Sequence, residues 1–293
     1  MSEHRMRVCI ARSKWDLDPL PLTEFLPKIK AAGFDASDIH LPSLRESPEE
    51  IAALHTRNGL ALVGMITTEG GTPEEHCASL EKRIALAARC APAHVNCHTG
   101  KDFFSPRENL TIFEAALELS RRFGISISHE THRGRATFSA PATQDLLKSM
   151  PEIRLTADFS HWCCVHESLL ADQEEAVGLA IERTDYIHAR VGHAEGPQVN
   201  DPRAPEWKAE LEAHLSWWQR IADAHRRHGS RELFVCPEFG PAPYMPALPF
   251  TRQPVSDLWE ITLFMKELLR ERLAGQLQGV SHQDTTTQQR ARN

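Results

Sequence analysis

ISISHETHRGR, residues 125–135, carries a short apolar alternation straight into His129, Glu130, His132, Arg133 and Arg135. One crowd of titratable groups after a strand is compatible with a solvated turn, so its meaning depends on recurrence. It recurs. Strand-like stretches stand at residues 6–11, 34–39, 60–66, 94–97, 125–129, 153–157, 186–189 and 233–236. The later ones run into Asn96-Cys97-His98-Thr99-Gly100-Lys101-Asp102, Asp158-Phe159-Ser160-His161-Trp162, His188-Ala189-Arg190-Val191-Gly192-His193 and Pro237-Glu238-Phe239-Gly240.

Helical segments separate these strands. Ser105-Pro106-Arg107-Glu108 is a capping box with proline at the first helical position, and its helix stops at Gly124. Thr72-Pro73-Glu74-Glu75 opens another helix. Residues 205–228 and 255–273 supply two more amphipathic stretches. Eight strand–helix units without an internal linker imply a single α/β domain, a (β/α)8 TIM barrel over residues 1–275. A polar tail, expected to be disordered, follows at 276–293. A doubly wound sheet is the alternative, but no GxGxxG or GxxxxGK[ST] follows any strand. Polar chemistry collected after the strands is what a barrel with its active site at the C-terminal face requires.

Hydrophobic content of 41% and charged content of 25% suit a soluble globular chain. A formal charge of −7 argues against nucleic acid as the main partner. No apolar run approaches membrane-span length, and no leader-like segment opens the chain. Seven scattered cysteines without a CxxC read as reduced thiols, hence a cytoplasmic location. Homo-oligomerisation is left open.

Glu130, Asp158, His188 and Glu238 end four successive strands. In one barrel mouth their three carboxylates would repel unless a cation held them, and a divalent ion with mixed oxygen and nitrogen ligands resolves this. Mn2+, Co2+, Zn2+ and Mg2+ all suit such a set.

On these motifs the sequence resembles the xylose isomerase-like superfamily of sugar phosphate isomerases and epimerases, which also includes endonuclease IV. The resemblance implies one divalent ion on Glu130 of HETHR, Asp158 of DFSHW, His188 of IHARVG and Glu238 of PEFG. It also implies substrate contact by His161. Two departures matter. The second substrate-binding glutamate of the similar ketose 3-epimerases is replaced by Ala136. The further ligands of the three-zinc nuclease are missing, since strand three ends in Thr67-Thr68-Glu69-Gly70 and the loop after strand seven reads Asp201-Pro202-Arg203.

The expected activity is therefore isomerisation or epimerisation of a sugar or related polyhydroxy carbonyl compound, by proton abstraction beside a carbonyl that the ion polarises. Glu130 and Glu238 are the acid/base candidates, one on each face of the reacting carbon. His98 and His132 are wall candidates, while Trp15, Trp162, Phe103 and Phe104 read first as core. The loop at 191–204 is expected to be a lid, with Arg190, His193 and Gln198 reaching the substrate. A lyase or hydrolase acting on an oxidised sugar or inositol, and a noncatalytic metal–sugar binding protein, are the competing readings.

Overall fold

The computed structural model describes residues 6–273, so the tail expected at 276–293 lies outside the described residues. Eight parallel strands close into one barrel in sequence order. They are β1 (Arg7–Ser13), β2 (Ala36–His40), β3 (Ala61–Thr67), β4 (His94–His98), β5 (Ile127–Glu130), β6 (Leu155–Ala157), β7 (Thr184–His188) and β8 (Glu232–Cys236). Closure is the pairing of β1 with β8, where Arg7 faces Glu232 and Ile10 faces Val235.

The outer helices are α1 (Leu22–Ala31), α2 (Pro48–Asn58), α3 (Pro73–Arg89), α4 (Pro106–Phe123), α5 (Ala140–Ser149), α6 (Phe159–Val165), α7 (Glu174–Glu182), α8 (Lys208–Arg227) and α9 (Leu258–Leu273). The capping box before α4 is formed by Ser105 and Glu108, and Gly124 ends that helix in the left-handed region. Ser47 and Glu50 build a second one before α2. None of the described helices is long and apolar enough to cross a membrane, and all seven cysteines are unpaired.

Period-two alternation sorts each strand into two columns. One column, including Ile10, Ile39, Ile66, Val95, Leu155 and Ile187, belongs to the main apolar cluster that joins barrel to helices. The other begins with small or apolar groups such as Ala11, Ala36, Val63, Tyr186 and Cys236. It then turns polar. His94 meets Ser128 at 2.6 Å, and Ser128 meets Thr156 at 2.5 Å. Continuing each column by two residues reaches Asp38, Asn96, Glu130, Asp158, His188 and Glu238, and two more on β4 reach His98, all buried.

The loop after β7 is tied down tightly. A Cβ on Gly192 would lie 2.7 Å from Ser160 Cα and 2.7 Å from its carbonyl oxygen, so only glycine lets these two backbones approach. The Gly192 amide donates to His214 Nε2 at 3.3 Å, while His214 Nδ1 donates to the Glu210 carbonyl at 2.8 Å. Burial pushes His94 and His214 down to about 4, so both stay neutral in the folded protein.

Unfolding restores each histidine to a pKa near 6.5, so the unfolded chain takes up protons first as the solution is acidified. Stability is therefore full above about pH 6.5 and falls between about 6.5 and 4, by about 1.4 kcal/mol per pH unit per histidine. Urea titrations at pH 7.5, 6 and 5 should show a falling midpoint, with a shallower fall in His214→Gln. Equal pH slopes in the variant and the parent protein would contradict this account.

Candidate functional site

Four side chains from adjacent strand ends meet in the barrel mouth. Glu130 is the last residue of β5 and His188 the last of β7, while Asp158 and Glu238 lie just beyond β6 and β8. All four are buried, and each offers a ligand atom within 4.8 Å of the others. Asp158 also caps α6, accepting from the Ser160 amide at 3.2 Å and from the Ser160 hydroxyl. This short helix therefore fixes the carboxylate that β6, only three residues long, delivers.

His188 is oriented from behind. Its Nε2 donates to Asp38 Oδ2 at 3.0 Å, and the same oxygen accepts the Tyr186 hydroxyl at 2.6 Å. The opposite nitrogen, Nδ1, therefore points into the cluster, 3.0 Å from Glu238 Oε2 and 3.4 Å from Glu130 Oε2. Neither His188 Nδ1 nor Glu238 Oε2 has a hydrogen-bond partner of acceptable geometry. A lone pair aimed at two carboxylates is repulsive, so a proton or a metal ion belongs between them. Burial opposes charge on His188, but Glu238 and Glu130 outweigh it and raise its pKa well above the usual value. Glu130 is held well below the usual range despite burial, by His98 and His188. Its Oε2 accepts from Asn96 at 2.5 Å and His98 at 2.8 Å.

Arg190, two residues beyond His188 on the same column, inserts its guanidinium here. Nη2 donates to Asp158 Oδ2 and lies 3.2 Å from Glu238 Oε2 and 3.0 Å from His161 Nε2. Burial and the two glutamates push Asp158 up to about 6 despite Arg190, so it stays largely ionised at neutral pH. With His188 deprotonated to act as a ligand, one guanidinium against three carboxylates leaves two negative charges, matched in number by a divalent cation. The unpartnered His188 Nδ1 and Glu238 Oε2, with the mixed donor set, fit such an ion. The carboxylate behind the histidine is the support that metal-bound histidines usually have.

A cavity of about 360 Å³ opens above this cluster, lined by Glu130, Glu238, Arg190, His98 and His132 among others. His161 stands behind Arg190, its ring 3.9 Å from that of His132, with Nδ1 buried and unpartnered. The loop 191–204 corrects the lid expectation. Gln198 is buried and bonded at both ends to Gly240, at 3.0 and 2.7 Å, while His193 packs on Trp207; neither lines the cavity. Arg203 pairs with Asp201 at 2.7 Å. The cover comes instead from Trp15 after β1 and Tyr244 after β8, whose rings meet edge to face at 5.0 Å. Of the other aromatics, Trp162 is core and Phe103 is exposed.

Asp38, Lys14 and His40 also belong to the site and are absent from the residues expected of it. Polar groups also stand at the ends of the first two strands, in Ser13-Lys14-Trp15 and Ser37-Asp38-Ile39-His40, and that signal could have found them.

Replacing Arg190 with methionine would leave Asp158 and Glu238 buried without their counter-charge. In chelator-treated protein, Arg190→Met should lower unfolding stability by about 3 kcal/mol or more by urea denaturation. A change below about 1 kcal/mol would show that the guanidinium does not balance these carboxylates.

A profile of the xylose isomerase-like TIM barrel family matches residues 26–214, more than half of the chain. A search of curated proteins finds no match. Among solved structures, endonuclease IV from Thermus thermophilus superposes with a TM-score of 0.55 at 16% identity, covering 91% of this chain and 98% of that one. The apo 3-keto-D-glucoside 4-epimerase of E. coli gives 0.59 at 12% identity, covering 91% and 99%. A xylose isomerase-like TIM barrel protein from Mycobacterium smegmatis, in complex with magnesium, gives 0.59 at 16% identity, covering 94% and 99%. Likeness at these identities concerns the fold. The family profile goes further: the chain belongs to the xylose isomerase-like TIM barrel family.

Proposed function

We propose that the protein is a divalent-metal-dependent isomerase or epimerase acting on a sugar or related polyhydroxy carbonyl compound in the cytoplasm. One observation carries the reading. Of the four clustered residues, only Glu130 and Glu238 also line the cavity, whereas Asp158 and His188 lie behind them. Two carboxylates facing a small-molecule cavity are what proton transfer at a single carbon needs. The epimerase among the structural neighbours and the magnesium complex of another agree with this reading.

Glu130, Asp158, His188 and Glu238 would hold the ion. When bound it polarises the substrate carbonyl and stabilises the negative charge that develops when the adjacent C–H is deprotonated. Glu238 lines the cavity and would accept that proton on the oxygen that the ion leaves free. Glu130 returns one from the other side, with His98 at 2.8 Å as its proton supply. Arg190 has an unpartnered buried Nη1 and lines the cavity, so it can hold a substrate oxygen while Nη2 keeps Asp158 in place. Seven unpaired cysteines suit a reducing compartment.

Incubation with a ketose panel in deuterated water tests the activity. Deuterium in recovered or rearranged sugar supports the proposal. Loss of a group instead would make it a lyase, and no change at all would leave a binding protein. Glu238→Gln should reduce turnover at least about 100-fold while keeping most of the metal affinity. Elemental analysis should give about one divalent ion per chain, and Asp158→Ala should lose it. Full occupancy in that variant would overturn the ligand assignment.

A further inference from the structure

The cavity does not end at the aromatic cover. A second cavity of about 380 Å³, formed by the segment before α1 and the segment after β2, shares Lys14, Asp18 and Ser43 with the first. The two are adjoining chambers, and Lys14 lines both. Lys14 is only 4% exposed, and its Nζ donates to the Asp18 carbonyl at 2.6 Å and the Leu17 carbonyl at 3.5 Å. Backbone anchors thus hold a buried ammonium there, rather than a close ion pair, since the Asp18 carboxylate is 3.6 Å away and itself exposed. Lining the second chamber further out are Arg45, Glu46 and a Pro19-Leu20-Pro21 floor.

We propose that the second chamber is a subsite for a neutral, hydroxylated substituent, so that the substrate is a glycoside-like molecule with a second sugar unit. The inference rests on the isomerase or epimerase reading and specifies its substrate. Charge decides against an anion. The chamber's two cations, Lys14 and Arg45, face two carboxylates, Asp18 and Glu46, so a phosphate or carboxylate there would meet as much repulsion as attraction. What remains is a mixture of fixed donors and acceptors, including Ser43. Sugar hydroxyls, each both donor and acceptor, match such a mixture without carrying charge. Trp15, next in the chain to Lys14, lines the first chamber and is 36% exposed although it is a large aromatic, so the sugar unit held there has an apolar surface to rest on. A monosaccharide confined to the first chamber would leave the second one empty.

The decisive variants are Arg45→Ala and Glu46→Gln, which alter residues that line the second chamber and not the first. With the full chain loaded with Mn2+, deuterium exchange is compared for a free ketose, the same ketose carrying a neutral glycosyl substituent, and its phosphate ester. The glycosylated compound should show at least about 10-fold higher kcat/KM than either other compound. The double variant should raise its KM about 10-fold without affecting the free ketose. Equal activity on all three, preference for the phosphate, or an unaffected KM would overturn the subsite. Should no compound exchange, the activity reading fails, and the subsite is judged by calorimetric titration with cellobiose and glucose. Cellobiose binding about 10-fold tighter than glucose, lost in the double variant, supports the subsite; equal binding overturns it.

Discussion

The hydrogen bond from His188 Nε2 to Asp38 governs the site. It fixes which nitrogen faces the centre of the barrel mouth, and so places Nδ1 between Glu238 and Glu130, where either a proton or an ion must lie. With Tyr186 holding the same Asp38 oxygen, the carboxylate has two donors and the histidine ring cannot turn without breaking one of them. Everything above this bond is arranged to make concentrated negative charge tolerable. Asn96 and His98 take up one oxygen of Glu130, Ser160 takes one of Asp158, and Arg190 bridges Asp158 to Glu238. The cluster still lacks positive charge, and that deficit gives the chemistry its direction.

The barrel delivers this arrangement by simple periodicity. Residues two apart on a strand share a face, so a column that starts as Tyr186 in the packed interior continues as His188 in the cluster and Arg190 at the cavity. The packing residue, the candidate ligand and the cavity residue are therefore one rigid unit. The loops contribute rigidity more than closure. Gly192 lies flush on Ser160, and Gln198 clamps Gly240, so the β7 and β8 loops buttress the strand ends that carry the cluster.

Much of this was legible in the sequence. All eight strands were visible as short β-rich stretches, because barrel strands are buried on both faces and separated by amphipathic helices with plain caps. Glu130, Asp158, His188 and Glu238 were recognisable because polar groups directly after such strands have few places to go but the mouth. Other features were out of reach for physical reasons. Asp38 stands among polar residues at a strand end, but nothing in its local sequence names His188, 150 residues away, as its partner. Gln198 and His193 sit in a loop whose composition suits a lid, and only packing shows that their side chains go to Gly240 and Trp207. The notch between the β1–α1 and β2–α2 connections comes from two segments that are both ordinary when read alone.

The central claim is that a divalent ion belongs between His188 Nδ1 and the three carboxylates. The most direct measurement is anomalous diffraction from crystals of the full chain soaked in Mn2+. The account predicts one strong peak within about 2.0–2.4 Å of His188 Nδ1 and of an oxygen from each of Glu130, Asp158 and Glu238. A peak elsewhere in the molecule, or none at millimolar Mn2+ with His188 still packed against Glu238, would contradict it.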